Sequence, residues 1–412
     1  MPRPQLQSSQ EMKTCLIWAA ALLLPTTAAA RSIVLTDTQA NQAQGDWRID
    51  SQALGIHEHH FSIEQSVLHG GRQEGSKIIT IRSEDGLVIV LSPTRGMGLL
   101  HVTGKGVRLG WDSPVDEVVN PNSITLESRN GLGWLEGFNE MLVRCGYEWT
   151  GHPVTAQGML YTLHGRAGNT PASKVIVDID EHAPYAISVR GLLKERSFKK
   201  SQLETWTELR YVPGSNAFTI HDVLSNAGDY AQDYQIIYHS NFGRPILEQG
   251  ARLLAPAREV SPFNDYAKAG LDAWQRYQGP TRGFDEQVFN IAPYADSAGK
   301  TLAALVNRAG DKGVSIAFDT QQLPVLTLWK NTDTEKKGYV TGIEPGTSYA
   351  YPVTIERAQG RVKQLQPGQH ADFELTYTLL ADRAQVRDAE QRVTAIQGGR
   401  ATTLTPTPMA KE

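Results

Sequence analysis

The chain has 412 residues, 40% of them hydrophobic and 20% charged, with a formal net charge of −4. A chain of this length buries a substantial core. The mildly acidic balance, with no Lys/Arg run interleaved with aromatics, argues against a nucleic-acid partner.

The first element is a targeting signal. Residues 12–24, MKTCLIWAAALLL, form a short apolar run behind Lys13, and residues 27–30, TAAA, offer a cleavage point. Residues 1–30 therefore read as a secretory signal peptide cut after Ala30, with Met12 as an alternative start. The run is short for a bilayer span, and no other apolar run approaches membrane length. The expected location is periplasmic or secreted, with no membrane attachment once the signal is removed. Cys15 leaves with the signal, so Cys145 stands alone in an oxidising compartment and forms no intramolecular disulfide. Such a thiol is more often a small buried hydrophobe than a nucleophile.

Residues 31–60 are polar and weakly patterned, a lead segment draped on the domain that follows. Within it His57, His59 and His60 look like a metal cluster, but neighbouring residues on a strand or helix point in different directions. Without an irregular loop they do not converge on one ion, and no metal is expected.

From Lys77 the β signal is strong. Residues 77–82 and 87–91 are β-branched runs joined by an Asp85-Gly86 turn, a hairpin pattern. Three further pairs follow: 203–211 with 217–224, 301–306 with 314–318, and 361–365 with 373–380 about Pro367-Gly368. Short turns between consecutive strands imply antiparallel pairing. Sustained helical periodicity occurs only over residues 382–396. The fold class is therefore all-β, two large antiparallel sheets packed as a sandwich, with a short C-terminal helix. No repeat or low-complexity linker divides the chain, so residues 61–397 are expected to form one domain. Residues 398–412, rich in Thr and Pro, are expected to be a disordered tail.

The segment 93–166 departs from this pattern: it is loop-like, dense in Gly, and rich in Trp, Asn, Arg and His. Long structured loops often carry function. Aromatic faces beside amide and guanidinium donors suit a sugar, whose ring presents C–H faces edged by hydroxyls. Two later strand ends supply the chemistry. Residues 234–239 read as a strand ending in the turn formers Ser240, Asn241 and Gly243, which places His239 at the strand mouth near solvent. Residues 339–346 end likewise, with Glu344 just before Pro345-Gly346. An imidazole and a carboxylate so presented can act as acid and base.

In order, the chain carries PTRGMG at 93–98, GFNEMLVRCG at 137–146, LHG at 163–165, YHSNFG at 238–243, LTLWK at 326–330 and GIEPG at 342–346. Over residues 78–380 it resembles the aldose 1-epimerase, or galactose mutarotase-like, superfamily, and within it the bacterial branch catalogued as a domain of unknown function. The resemblance implies a galactose mutarotase-type sandwich and an isomerase that interconverts the anomers of a free sugar or sugar derivative. It implies that His239 protonates the ring oxygen, that Glu344 removes the anomeric hydroxyl proton, and that His164 binds substrate. Arg166, Asn139, Glu140, Arg144 and Lys330 are the further expected sugar contacts, the Asn139-Glu140 and Arg144 region standing where true galactose mutarotases have an Asn-Arg pair. The family's sugar-binding aspartate has its candidates in Asp265, Asp272 and Asp285. Acid/base opening of a hemiacetal needs neither metal nor organic cofactor. Two alternatives stay open: a non-catalytic carbohydrate-binding protein on the same scaffold, and a carbohydrate lyase or hydrolase, for which Glu344 lacks a carboxylate partner.

Overall fold

The computed structural model describes residues 30–408. The segment read as a signal peptide, Cys15 included, lies outside the described residues except for Ala30.

Burial in Ala217–Asn226 alternates residue by residue, with Phe218, Ile220 and Leu224 turned inward. That period of two is what a strand with one covered face produces. Strands of this kind form a ten-stranded sheet, ordered Arg252–Leu254, Lys300–Val306, Gly313–Asp319, His370–Leu380, Ala217–Asn226, Gln202–Tyr211, Ile187–Arg196, Lys174–Asp180, Ala30–Asp37, Gln42–Ala43. A fourteen-stranded sheet packs against it. The middle of that second sheet runs Gln287–Pro293, Val325–Asn331, Val340–Gly346, Gln232–Phe242, Leu142–Tyr147, Gly98–Gly104. One large apolar cluster lies between the sheets, with Phe218, Leu224 and Leu375 from one side meeting Ile236, Phe289 and Leu328 from the other.

The central strands of the larger sheet are covered on both faces. Gln232–Phe242 is buried without interruption from Tyr234 onward. Ile236, Tyr238 and Phe242 join the core between the sheets, whereas Ile237 joins a second cluster with Trp111, Trp134, Phe138 and Cys145. This outer cluster is roofed by the 111–165 excursion. Alternate residues of one strand thus serve two different cores, and parity decides which.

Three of the four expected hairpins pair as read. The fourth does not. Lys363–Leu365 pairs with the start of Gln232–Phe242, while His370–Leu380 pairs with Ala217–Asn226 and Gly313–Asp319. Pro367-Gly368 therefore carries the chain from one layer to the other instead of folding it back on itself. The segment 93–166, read as loop, supplies Gly98–Gly104 and the central strand Leu142–Tyr147. The lead segment is hydrogen-bonded into both layers: Ala30–Asp37 pairs with Lys174–Asp180, and Trp47–Asp50 with Phe61–Val67. Within residues 398–412, Thr403–Leu404 adds a short parallel strand beside Ala257–Pro262. His57, His59 and His60 lie on a turn, where the His59 ring meets Tyr185 edge-on at 6.1 Å.

The helix Arg383–Gln397 starts at Asp382, whose carboxylate accepts from the backbone N–H groups of Ala384 at 2.8 Å and Gln385 at 2.9 Å. It stops at Gly398, whose left-handed φ of 60° suits a residue without a Cβ. Its buried Val386 and Ala389 pack on Ala304, Val306 and Leu380. Among the described residues no helix is long and apolar enough to cross a membrane.

Candidate active site

Register builds the site. Cross-strand pairing aligns Asn290 with Thr327 and Thr327 with Glu344. The pairing of Ser240 with Ile343 then puts Glu344 opposite His239, which itself pairs with Val143. The row lies on the outer face of the larger sheet, under the roof. His239 Nε2 and Glu344 Oε1 are 3.2 Å apart, with only 6% and 2% of the two side chains exposed.

Neither residue sits at a strand end. Both strands continue, to Phe242 and to Gly346, because the residues read as turn formers find partners inside the sheet. Ser240 Oγ meets Tyr377 Oη at 2.8 Å, and the Asn241 amide donates to the Glu140 carbonyl at 3.0 Å. His239 is buried rather than near solvent as a result. Burial pushes its imidazole down to about 4, which its contact with Asn241 only partly offsets. Burial also pushes the Glu344 carboxyl well above the ordinary carboxylate range, with nearby Glu286 adding to the rise. Burial thus disfavours the charged form of both groups.

A cavity of about 270 Å3 opens in front of this row. Its floor comes from the sheet: His239, Glu344, Thr327, Trp329, Val288 and Glu286. Its roof comes mainly from one stretch of chain, including Leu132, Trp134, Leu135, Phe138, Leu163 and His164, with Ala350 added from beyond it. The Phe138 and Trp329 rings stand 5.4 and 5.5 Å from the His239 ring, both edge-on. Trp329 Nε1 donates to Glu286 Oε2 at 2.7 Å. His164 approaches the His239 ring at 5.3 Å. Burial holds His164 well below the usual histidine range, reinforced by His239 and His152. Its φ is 59°, left-handed backbone that a residue with a Cβ rarely adopts, and a Cβ on the following Gly165 would fall 2.2 Å from the Trp149 carbonyl oxygen, so the turn requires the glycine and holds His164 in a strained conformation. Buried polar atoms of the lining lack protein partners: His164 Nδ1, Thr327 Oγ1 and Trp134 Nε1; Glu344 Oε1 has only the 3.2 Å approach of His239 Nε2. Buried polar groups are normally bonded, so this concentration at one cavity marks a place for a polar ligand.

The other expected contacts lie elsewhere. Arg144 is on the opposite parity of its strand and points between the sheets, where Nη2 meets Asp222 Oδ1 at 3.0 Å. Lys330 follows Trp329 and so faces the other way, donating to the carbonyls of Arg276 at 2.8 Å and Ala273 at 3.3 Å. Glu140 is sealed in an ion pair with Arg95 at 2.9 Å, and the Asn139 amide donates to the carbonyls of Glu117 and Val115. Arg166 packs its guanidinium over Trp149, 5.3 Å from the ring centre. None of the five lines the cavity. Asp265, Asp272 and Asp285 are exposed and do not line it either; the acidic group that does is Glu286, one residue further on. Its signal was available in parity, since Glu286, Val288 and Asn290 share the outer face. A larger groove of about 690 Å3 beside the C-terminal helix has Asp296, Lys300, Glu374 and Arg392 in its lining, all exposed, and holds no buried acid/base pair.

The profile of a family described as a domain of unknown function, DUF4432, matches residues 73–379. A solved structure from Klebsiella pneumoniae subsp. pneumoniae, provisionally assigned as an aldose 1-epimerase, is 68% identical and superposes with a TM-score of 0.93 over 93% of this chain and 100% of its own. A galactose mutarotase-like protein from Clostridium acetobutylicum is 15% identical, with a TM-score of 0.49 over 81% of this chain and 98% of its own. A likeness at that second level carries no functional weight. No curated protein matches the chain.

Proposed function

Because the chain belongs to the DUF4432 family and is 68% identical to a protein provisionally assigned as an aldose 1-epimerase, we propose that it interconverts the anomers of a sugar. The observation that carries this reading is the pair His239 Nε2 and Glu344 Oε1, 3.2 Å apart at the floor of a cavity whose buried polar lining lacks partners. The anomeric hydroxyl and ring oxygen of a hemiacetal share one carbon, so a base and an acid serving them must be neighbours. The base takes the hydroxyl proton while the acid protonates the ring oxygen, and the bond between the anomeric carbon and that oxygen breaks. The open aldehyde turns about its C1–C2 bond and closes on its other face.

In the ring-opening direction, Glu344 is the base and His239 the acid. With one proton between them, the uncharged form of the pair differs from this working form only by transfer of that proton from Glu344 to His239, and a coupled pair titrates as a unit. Trp134, Phe138 and Trp329 offer faces to the sugar's C–H surface, and His164 Nδ1 and Thr327 Oγ1 offer bonds to its hydroxyls. The same pairing of groups needs no metal or organic cofactor to move its protons. The reading places the working protein outside the cytoplasm, in the periplasm or secreted, on the strength of residues 1–30.

One-dimensional NMR on freshly dissolved single anomers tests the proposal. His239→Ala and Glu344→Gln are each expected to slow anomeric exchange by about 10²- to 10⁴-fold. Exchange by either variant at the wild-type rate would sink it. Saturable sugar binding without turnover by the wild type would favour a carbohydrate-binding protein instead.

A further inference from the structure

Resting on the proposed acid/base reading, we infer that Asn241 is a positioning residue for His239: its side-chain amide commits Nδ1 to carrying a hydrogen, so that Nε2 alone exchanges protons in the cavity. Asn241 lies two residues after His239 on the same face of the strand, fully buried, and its Oδ1 is 2.7 Å from His239 Nδ1. Which end of the amide faces the ring is settled by its other bonds. Nδ2 donates to the Glu140 carbonyl at 3.0 Å and to the His239 carbonyl at 3.1 Å. Carbonyls only accept, so both amide hydrogens are committed and the oxygen is left for the imidazole. An amide oxygen also only accepts, and Nδ1 must therefore donate.

The Glu140 carbonyl that anchors this arrangement is itself held. It accepts a second bond from Trp111 Nε1 at 3.1 Å, and the Glu140 side chain is locked to Arg95. The segment expected to contact sugar thus acts at one remove, by orienting Asn241. With Nδ1 occupied, neutral His239 presents its lone pair at Nε2, the atom 3.2 Å from Glu344. The other tautomer would set two lone pairs against each other at the 2.7 Å contact with Asn241, where burial leaves little to screen them. Fixing the tautomer through the far nitrogen is how a histidine is made to act at a single atom.

Nitrogen-15 NMR of histidine-labelled protein at pH 7 decides the matter, the His239 signals being identified by their loss in His239→Gln. The wild type is expected to show a protonated Nδ1 and an unprotonated or proton-sharing Nε2. Asn241→Ala should shift His239 toward the Nε2–H form, lower kcat for anomeric exchange by roughly tenfold or more with little change in KM, and move the pH profile. Trp111→Phe, which removes a bond to the same carbonyl without touching the ring, should keep the wild-type tautomer. A wild-type spectrum with hydrogen on Nε2, or an Asn241→Ala protein with unchanged tautomer and pH profile, would overturn the inference. The wild-type spectrum suffices should Asn241→Ala not fold. A protein that exchanges no sugar anomers would defeat the proposed function, and the spectrum would still report the tautomer.

Discussion

Burial disfavours the charged form of both His239 and Glu344. On the proposed reading the pair works with one proton between them. Activity is expected to follow a bell in pH whose limbs belong to the pair. Below about pH 4 His239 gains its own proton while Glu344 keeps one, so no base remains and the rate falls. On the alkaline side Glu344 gives up its proton, leaving no acid. A pH series of anomeric exchange rates checks both limbs. Arg144 makes a different residue-scale case. It is fully buried against Asp222, which also accepts from Tyr238 Oη at 2.9 Å. Arg144→Met is expected to cost about 3–5 kcal/mol of stability by leaving Asp222 an unpaired buried charge, measurable by denaturant unfolding. A sugar contact would instead have given a variant of normal stability and weakened binding.

At the scale of the element, strand parity separates what the sequence revealed from what it concealed. Residue type and the family resemblance pointed to His239, Glu344 and His164, and all three line one cavity. It pointed equally to Arg144 and Lys330, which stand on the wrong alternation of their strands. A one-residue offset moves a side chain to the opposite face, and the offset is legible only when the whole strand is phased by its apolar residues. Phased that way, Leu326 and Leu328 assign Lys330 to the interior, and Val325 assigns Thr327 and Trp329 to the outer face. The roof was harder: nothing local says that Trp134 and Phe138 fold back over a strand a hundred residues away. Strand architecture was largely readable because β-branched runs and Gly-containing turns are local signals. The failed hairpin at Pro367-Gly368 had the right turn chemistry, and layer assignment overrode it. Gly342 carries an element-scale prediction. A Cβ there would fall 2.3 Å from Glu344 Oε1 and 3.2 Å from His239 Cε1. Gly342→Ala is expected to displace the carboxylate and lower kcat by about a hundredfold, comparable to losing one proton-transfer group, with the fold retained in circular dichroism.

At the scale of the molecule, two cores share one sheet. The larger lies between the layers and supplies most of the buried apolar surface; the smaller lies under the roof and carries the cavity. Buried charge away from the site also tunes the whole. Glu195 is buried, its carboxyl pushed up to about 7 by desolvation and by Glu148. A carboxyl raised on folding stabilises fully below its unfolded value and loses that contribution as pH rises through the folded one. Stability should therefore decline between about pH 4.5 and 7 by roughly 3 kcal/mol from this group. Glu195→Gln should flatten the decline, raising the melting temperature at pH 8 and leaving it near wild type at pH 4.5.

The division of the cavity into a floor of distant strands and a roof of consecutive residues has an evolutionary corollary. On the proposed reading, proton chemistry is inherited with the whole sheet, because the floor arrives from Gln232–Phe242, Val325–Asn331 and Val340–Gly346. Ligand preference would then reside largely in a single cassette, since the roof residues fall between Leu132 and His164 with Ala350 as the one addition from elsewhere. On that reading, exchanging this one stretch is expected to alter selectivity while His239 and Glu344 stay in place.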